Sequence, residues 1–106
     1  MSAKTWRAHP EATAELVHAT DTYEAQREGL GEDFLASYRA RYSALIHTPK
    51  VGTAERVKGR EVRRGLLDGF PYAIVFVELD DEYLVVAVAY GGRKPGYWKK
   101  RLRALR

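Results

Sequence analysis

Hydrophobic positions recur along the chain with two different periods, and the change from one to the other divides it. From Pro10 onward, Ala12, Leu16, Ala19, Tyr23 and Leu30 fall at roughly helical spacing, which assigns Glu15, Asp21, Glu24 and Glu28 to other faces. Pro10 suits a first helical position, and Glu11 puts an anion where the helix dipole favours one. The pattern stops near Gly29-Leu30-Gly31. A second one opens at Glu32-Asp33 and carries Phe34, Leu35, Tyr38, Tyr42, Leu45 and Ile46 as its apolar stripe until Thr48-Pro49 halts it. Two helices joined by so short a link form an antiparallel hairpin.

After PKVGTAERVKG, read as a loop, the period shortens to that of strands. EVRRGLL predicts a strand, Asp68-Gly69 a two-residue hairpin turn, FPYAIVFVEL a second strand, Asp80-Asp81-Glu82 another turn, and YLVVAVAY a third strand. The second and third are apolar on both faces, Ile74 and Phe76 against Val75 and Val77, which places them centrally under the helical hairpin. KTWRA near the start reads as a brief edge strand. PGYWKKRLRAL predicts a short last helix, with Tyr97, Trp98 and Leu102 docked and its bases facing out. The resulting order is β-α-α-β-β-β-α. It describes one α+β domain over residues 1–106, a helical hairpin packed on a small antiparallel sheet.

Composition agrees with a folded chain: 45% of the 106 residues are apolar and 30% charged. No cysteine is present, which excludes a disulfide framework, a thiolate metal site and a cysteine nucleophile. MSAKTWRAHPEA lacks the apolar stretch of a signal peptide, and no run approaches the roughly 18 apolar residues of a membrane span. A cytoplasmic protein with no membrane partner is the expectation.

Charge changes the picture more. Residues 1–48 carry five bases and seven acids, residues 49–69 six bases and three acids, residues 70–90 four acids and no base, and residues 91–106 seven bases and no acid. Such asymmetry bears on partners rather than fold. The terminal block is either a solvated face or the seat of an acidic protein or a polyanion.

Few residues offer recognisable chemistry. His9, His18 and His47 are scattered without ligand spacing, so no metal site is expected. Gly91-Gly92 lacks the spacing of a phosphate loop, no cofactor motif occurs, and Ser2, Ser37 and Ser43 have no nucleophile context. Metal-free RNA cleavage needs a base, an acid and cations for the charge building on phosphorus. Arg64, Tyr90, Arg93 and Tyr97 are the candidates, with Lys94 and Arg63 near them. Tyr97 and Trp98 read more readily as core anchors of a terminal helix than as stacking platforms.

The run RRGLLDGFPYAIVFVELDDEYLVVAVAYGGRKPGYWKKR resembles the C-terminal half of the RelE/ParE toxins of type II toxin–antitoxin systems. There, a strand FPY-x-I-x-F leads into V-x-A-V and then R-x-P-x-YW-x-x-R. With the helical hairpin, the resemblance spans nearly the whole chain. It implies the α+β fold above, a cognate antitoxin with an acidic, partly disordered tail, and operator DNA bound only through that antitoxin. By the resemblance, Arg63, Arg64, Arg93, Lys94, Trp98, Lys99, Lys100 and Arg101 are the residues expected to meet target or antitoxin.

The family divides by target. RelE-like members cut messenger RNA on the ribosome with strand arginines and a tyrosine near the last helix, whereas ParE-like members act on DNA gyrase. Tyr97 falls at the tyrosine and Arg93 keeps a turn arginine. The arginine expected after the strand aromatic falls on Ala73, and the one closing the last strand falls near Gly91. Losing one such preorganised charge commonly costs about a hundredfold in rate. The expectation is therefore a ParE-like toxin that acts by binding, with a ribosome-dependent endoribonuclease and an inactive antitoxin-binding relative as alternatives.

Overall fold

A computed structural model describes residues 4–51, 54–103 and 105. Its elements are β1 (Thr5–Ala8), α1 (Pro10–Gln26), α2 (Leu30–His47), β2 (Ala54–Val57), β3 (Arg60–Leu66), β4 (Tyr72–Glu78) and β5 (Glu82–Tyr90), followed by one 3-10 turn at Lys99–Leu102. The helical hairpin and the three predicted strands, now β3 to β5, lie where their periods predict them.

The sheet departs from the expectation in being five-stranded and mixed, with spatial order β1-β5-β4-β3-β2. β1 is an edge strand, as read, but it runs parallel to β5, pairing Thr5 with Glu82 through Ala8 with Val85. Four residues do not encode their partner. What fixes the pairing is tertiary: Trp6 stacks on Tyr83 at 4.6 Å and packs against Phe76 at 5.3 Å. β2 is a correction, because its residues were read as loop. It forms a hairpin with β3 through Lys58 and Gly59, both at positive φ (51° and 78°), the twist that a two-residue hairpin requires. Residues 52–53 of that stretch lie outside the described residues.

The Asp68-Gly69 turn is also wider than predicted, since β3 ends at Leu66 and β4 begins at Tyr72. Phe70 leaves the strand to pack between Tyr23 and Phe34, at 5.0 and 5.2 Å. The predicted last helix shortens to the single 3-10 turn, and residue 104 of the stretch lies outside the described residues.

Each sheet face carries its own core. Toward the helices, Ala12, Ala19, Phe34 and Leu45 bury against Ile74, Phe76, Val85 and Val88. On the opposite face, Trp98 and Leu102 cover Val62, Val75, Val77, Leu84 and Val86. A bulge lets β5 serve both: Val75 pairs with Ala87 and Phe76 with Val85, which leaves Val86 as the extra residue. Val86 and Ala87 therefore both face the C-terminal segment, and Val88 returns to the helices. No helix among the described residues is long and apolar enough to cross a membrane.

Candidate functional site

Where β1 stops, β5 continues with an unpaired edge, and the chain fills it with a carboxylate. The helical period in the sequence puts Glu15 on a face of α1 other than the apolar stripe. It lies three residues after Ala12 and four before Ala19, both buried, and so it points at the sheet. Its Oε1 accepts the Val88 N–H at 3.0 Å, and its Oε2 accepts the Tyr97 hydroxyl at 2.7 Å. Arg101 completes the set with Nη1 on Oε1 at 3.1 Å and Nη2 on Oε2 at 2.8 Å, while Nη1 also donates to the Val86 carbonyl at 2.9 Å. One carboxylate thus ties helix α1, the bulged edge of β5 and the C-terminal segment together.

Electrostatics follow from that geometry. Burial works to raise the Glu15 pKa, but the donors from Arg101, Tyr97 and Val88 outweigh it and hold the carboxyl below its ordinary value. Tyr97 moves the other way. Burial, the hydrogen bond to Glu15 and the charge of that carboxylate push its phenol well above the ordinary tyrosine value. At neutral pH Tyr97 is a committed donor. It holds its proton in the hydrogen bond to Glu15.

Around this clamp the end of the sheet is concave on both sides. One groove, about 370 Å³, opens away from the helices between the β3–β4 connection and the residues after β5. Arg64, Leu66, Ala73, Ala89, Tyr90 and Lys94 are among its walls, and no carboxylate or imidazole lines it among the described residues. A second, about 500 Å³, lies beside α1 and is lined by Glu11, Ala14, Glu15, His18, Val88 and Arg101. Tyr72, Tyr90, Arg93 and Tyr97 line both. The ring of Tyr90 lies so close over Gly92 that a Cβ there would come within 2.4 Å of it, so this backbone position must be glycine to keep the ring where it is.

The four nuclease candidates Arg64, Tyr90, Arg93 and Tyr97 do converge on the first groove. Each arginine among them has a partner within the chain. Arg64 is engaged by Glu55 at 2.6 Å, and the Arg93 guanidinium carbon lies over the Tyr97 ring, 3.8 Å from its centre. Of the expected contact residues, Lys94, Lys99 and Lys100 are exposed. Three others are more enclosed. Trp98 is 2% exposed, sealed in the core as an anchor. Arg101, expected to face out, has a side chain only 8% exposed because Glu15 draws it inward. Arg63 sits on the helix side of the sheet, paired with Glu61 at 2.6 Å and donating to the Lys50 carbonyl at 3.2 Å, away from the first groove. Among the described residues no group of three or more His, Asp or Glu is placed to hold a metal ion.

No protein-family model matches the chain, and no curated protein matches it in sequence. A solved structure does match: a chain of the chromosomal ParDE TA system from P. aeruginosa, at 18% identity and a TM-score of 0.65, over 83% of this chain and 96% of that one. The two share a fold. At this identity the likeness extends to the architecture of helical hairpin and sheet, and the side chains of the groove must be read on their own.

Proposed function

We propose that this chain is the toxin of a type II toxin–antitoxin pair, a growth inhibitor that acts by gripping a protein target and that a cognate antitoxin neutralises. DNA gyrase is the target on this reading, and a cytoplasmic setting follows from it. The observation that carries the binding mode is the state of Tyr97. Its hydroxyl is spent on Glu15 at 2.7 Å and its pKa is raised, so the tyrosine that a ribonuclease of this fold would use is committed to structure. The first groove beside it, where the nuclease candidates converge, offers cations and apolar surface, and among the described residues no carboxylate or imidazole lines it to move a proton. Ala73 and Gly91 line that groove where the resemblance leads one to expect arginines.

The fold shared with a chain of a ParDE system supports the assignment to a toxin–antitoxin pair. The terminal run of seven bases without an acid supports an antitoxin with an acidic tail, with operator DNA reached through the antitoxin. Inducing the chain alone in a bacterial host tests the reading. Growth should stop within a few generations, plasmid supercoiling should change, and messenger RNA should gain no new 5′ ends. Codon-phased new ends would make the chain a ribosome-dependent endoribonuclease. Undisturbed growth would leave it an inactive antitoxin-binding relative.

A further inference from the structure

We infer that a cavity beside the β2–β3 hairpin is a binding site for a single terminal phosphate group, held by the guanidinium forks of Arg56 and Arg60. It lies apart from the two grooves and is independent of the toxin reading. The grooves sit where Tyr72 pairs with Tyr90, whereas this cavity takes part of its wall from Glu78 and Tyr83, paired at the opposite end of the same two strands. Its volume is about 260 Å³. Pro49 and Lys50, where the chain leaves α2, complete the wall on the helix side of the sheet.

The hairpin places the forks. Lys58 and Gly59 turn the chain at positive φ and set Val57 opposite Arg60 and Arg56 opposite Glu61, so the two arginines flank one tight turn. Positive charge is in surplus there. Lys50, Arg56, Arg60 and Arg63 line the cavity with two acids, and both acids are already matched: Glu61 by Arg63 at 2.6 Å, and Glu78 by Lys4 at 2.6 Å and Lys50 at 3.4 Å. Among the described residues no carboxylate pairs with Arg56 or Arg60. Arg56 donates Nη1 to the Gly59 carbonyl at 3.2 Å, and half-buried Arg60 has no hydrogen-bond partner among the described residues. The buried rings of Phe76 and Tyr83 also line the cavity, so charge inside it is screened less than on an open face. A guanidinium fork takes two oxygens at once, and two forks suit an ion with several oxygens and a double charge. A terminal phosphate has both. A carboxylate fills one fork, and a backbone phosphodiester carries a single charge on two free oxygens.

The probes are inorganic phosphate, acetate, and a short oligothymidylate with and without a 5′-phosphate, each titrated into the isotope-labelled full chain at constant ionic strength. Phosphate should shift the amides of Gly59, Arg60 and Glu61 saturably and leave those of Ala89 and Gly91 unmoved. Acetate should bind about tenfold more weakly, and Arg56→Gln and Arg60→Gln should each weaken phosphate by about as much. Arg60→Lys keeps the charge without the fork and should fall between Arg60→Gln and the parent. Lys99→Gln removes an equal charge from the C-terminal turn and should leave phosphate affinity unchanged. The spectrum of each variant reports its fold directly. Tighter binding of the 5′-phosphorylated strand than of phosphate supports the site with a nucleic-acid end as its source, and equal or weaker binding supports it with a small free phosphate. No saturable shift at the hairpin, equal affinity for acetate, equal losses in Lys99→Gln and Arg56→Gln, or equal binding of the two strands would each overturn the site.

Discussion

Arg93 and Arg101 come from one basic stretch and reach toward one carboxylate, yet they do opposite work. Arg101 is 8% exposed, grips Glu15 with two nitrogens at 2.8 and 3.1 Å and spends a further hydrogen bond on the Val86 carbonyl. Arg93 is 53% exposed, stands off at 3.7 Å and rests on the Tyr97 ring. The first charge is consumed in holding the C-terminal segment to the sheet. The second remains at the surface beside Tyr97. A cluster of like charges in sequence is thus not one functional patch, and partner geometry decides which member is structural and which is presented.

Substitutions should separate the two roles most sharply at Arg101. Arg101→Ala removes two charge-assisted hydrogen bonds from the partly enclosed Glu15 carboxylate and should cost about 2–3 kcal/mol in urea unfolding. A loss under about 1 kcal/mol would erase the contrast with Arg93. Tyr97→Phe removes one donor to the same carboxylate and should cost about 1.5 kcal/mol. On the binding reading it should leave growth inhibition intact in proportion to the folded fraction.

Acid provides a graded version of the Arg101 experiment. Glu15 has a depressed pKa in the folded chain, so its stabilisation is fully present above the ordinary glutamate value of about 4.3 and is lost as pH falls through the lower folded value. The stability gap between the unmodified chain and Arg101→Ala should therefore narrow below about pH 4, and a gap that stays constant to pH 3 would contradict the assignment. The smallest effect is expected at Arg93→Ala, within about 0.5 kcal/mol of the parent in unfolding. There the measurable loss should fall on partner binding.

Both helices and strands β3 to β5 were legible because long amphipathic and apolar runs write their period into the sequence. β2 was not, since AERV is short, half charged and turned by Lys58-Gly59 instead of a common hairpin pair. The parallel seat of β1 was illegible for another reason: its partner lies far along the chain, and only the meeting of Trp6 with Tyr83 and Phe76 selects it. At the site, the basic stretch was visible but its division was not. A signal existed in the spacing. Arg101 follows Trp98 by three residues and so shares the buried side of the turn, and Glu15 sits between Ala12 and Ala19 on the buried stripe of α1. An acid and a base both inside apolar stripes are a reason to look for each other. The convergence of two grooves on Tyr90 and Arg93 is a property of assembled surfaces and left no such trace.

Tyr97 as a clamp residue and Tyr97 as a catalytic one have different consequences for a ribosome-bound message. Purified chain and its Tyr97→Phe variant, each incubated with ribosomes stalled on a defined message and read by primer extension, decide between them. The message should stay intact with both proteins. Codon-phased cleavage by the parent that disappears with Tyr97→Phe would contradict the account and return the groove to RNA chemistry.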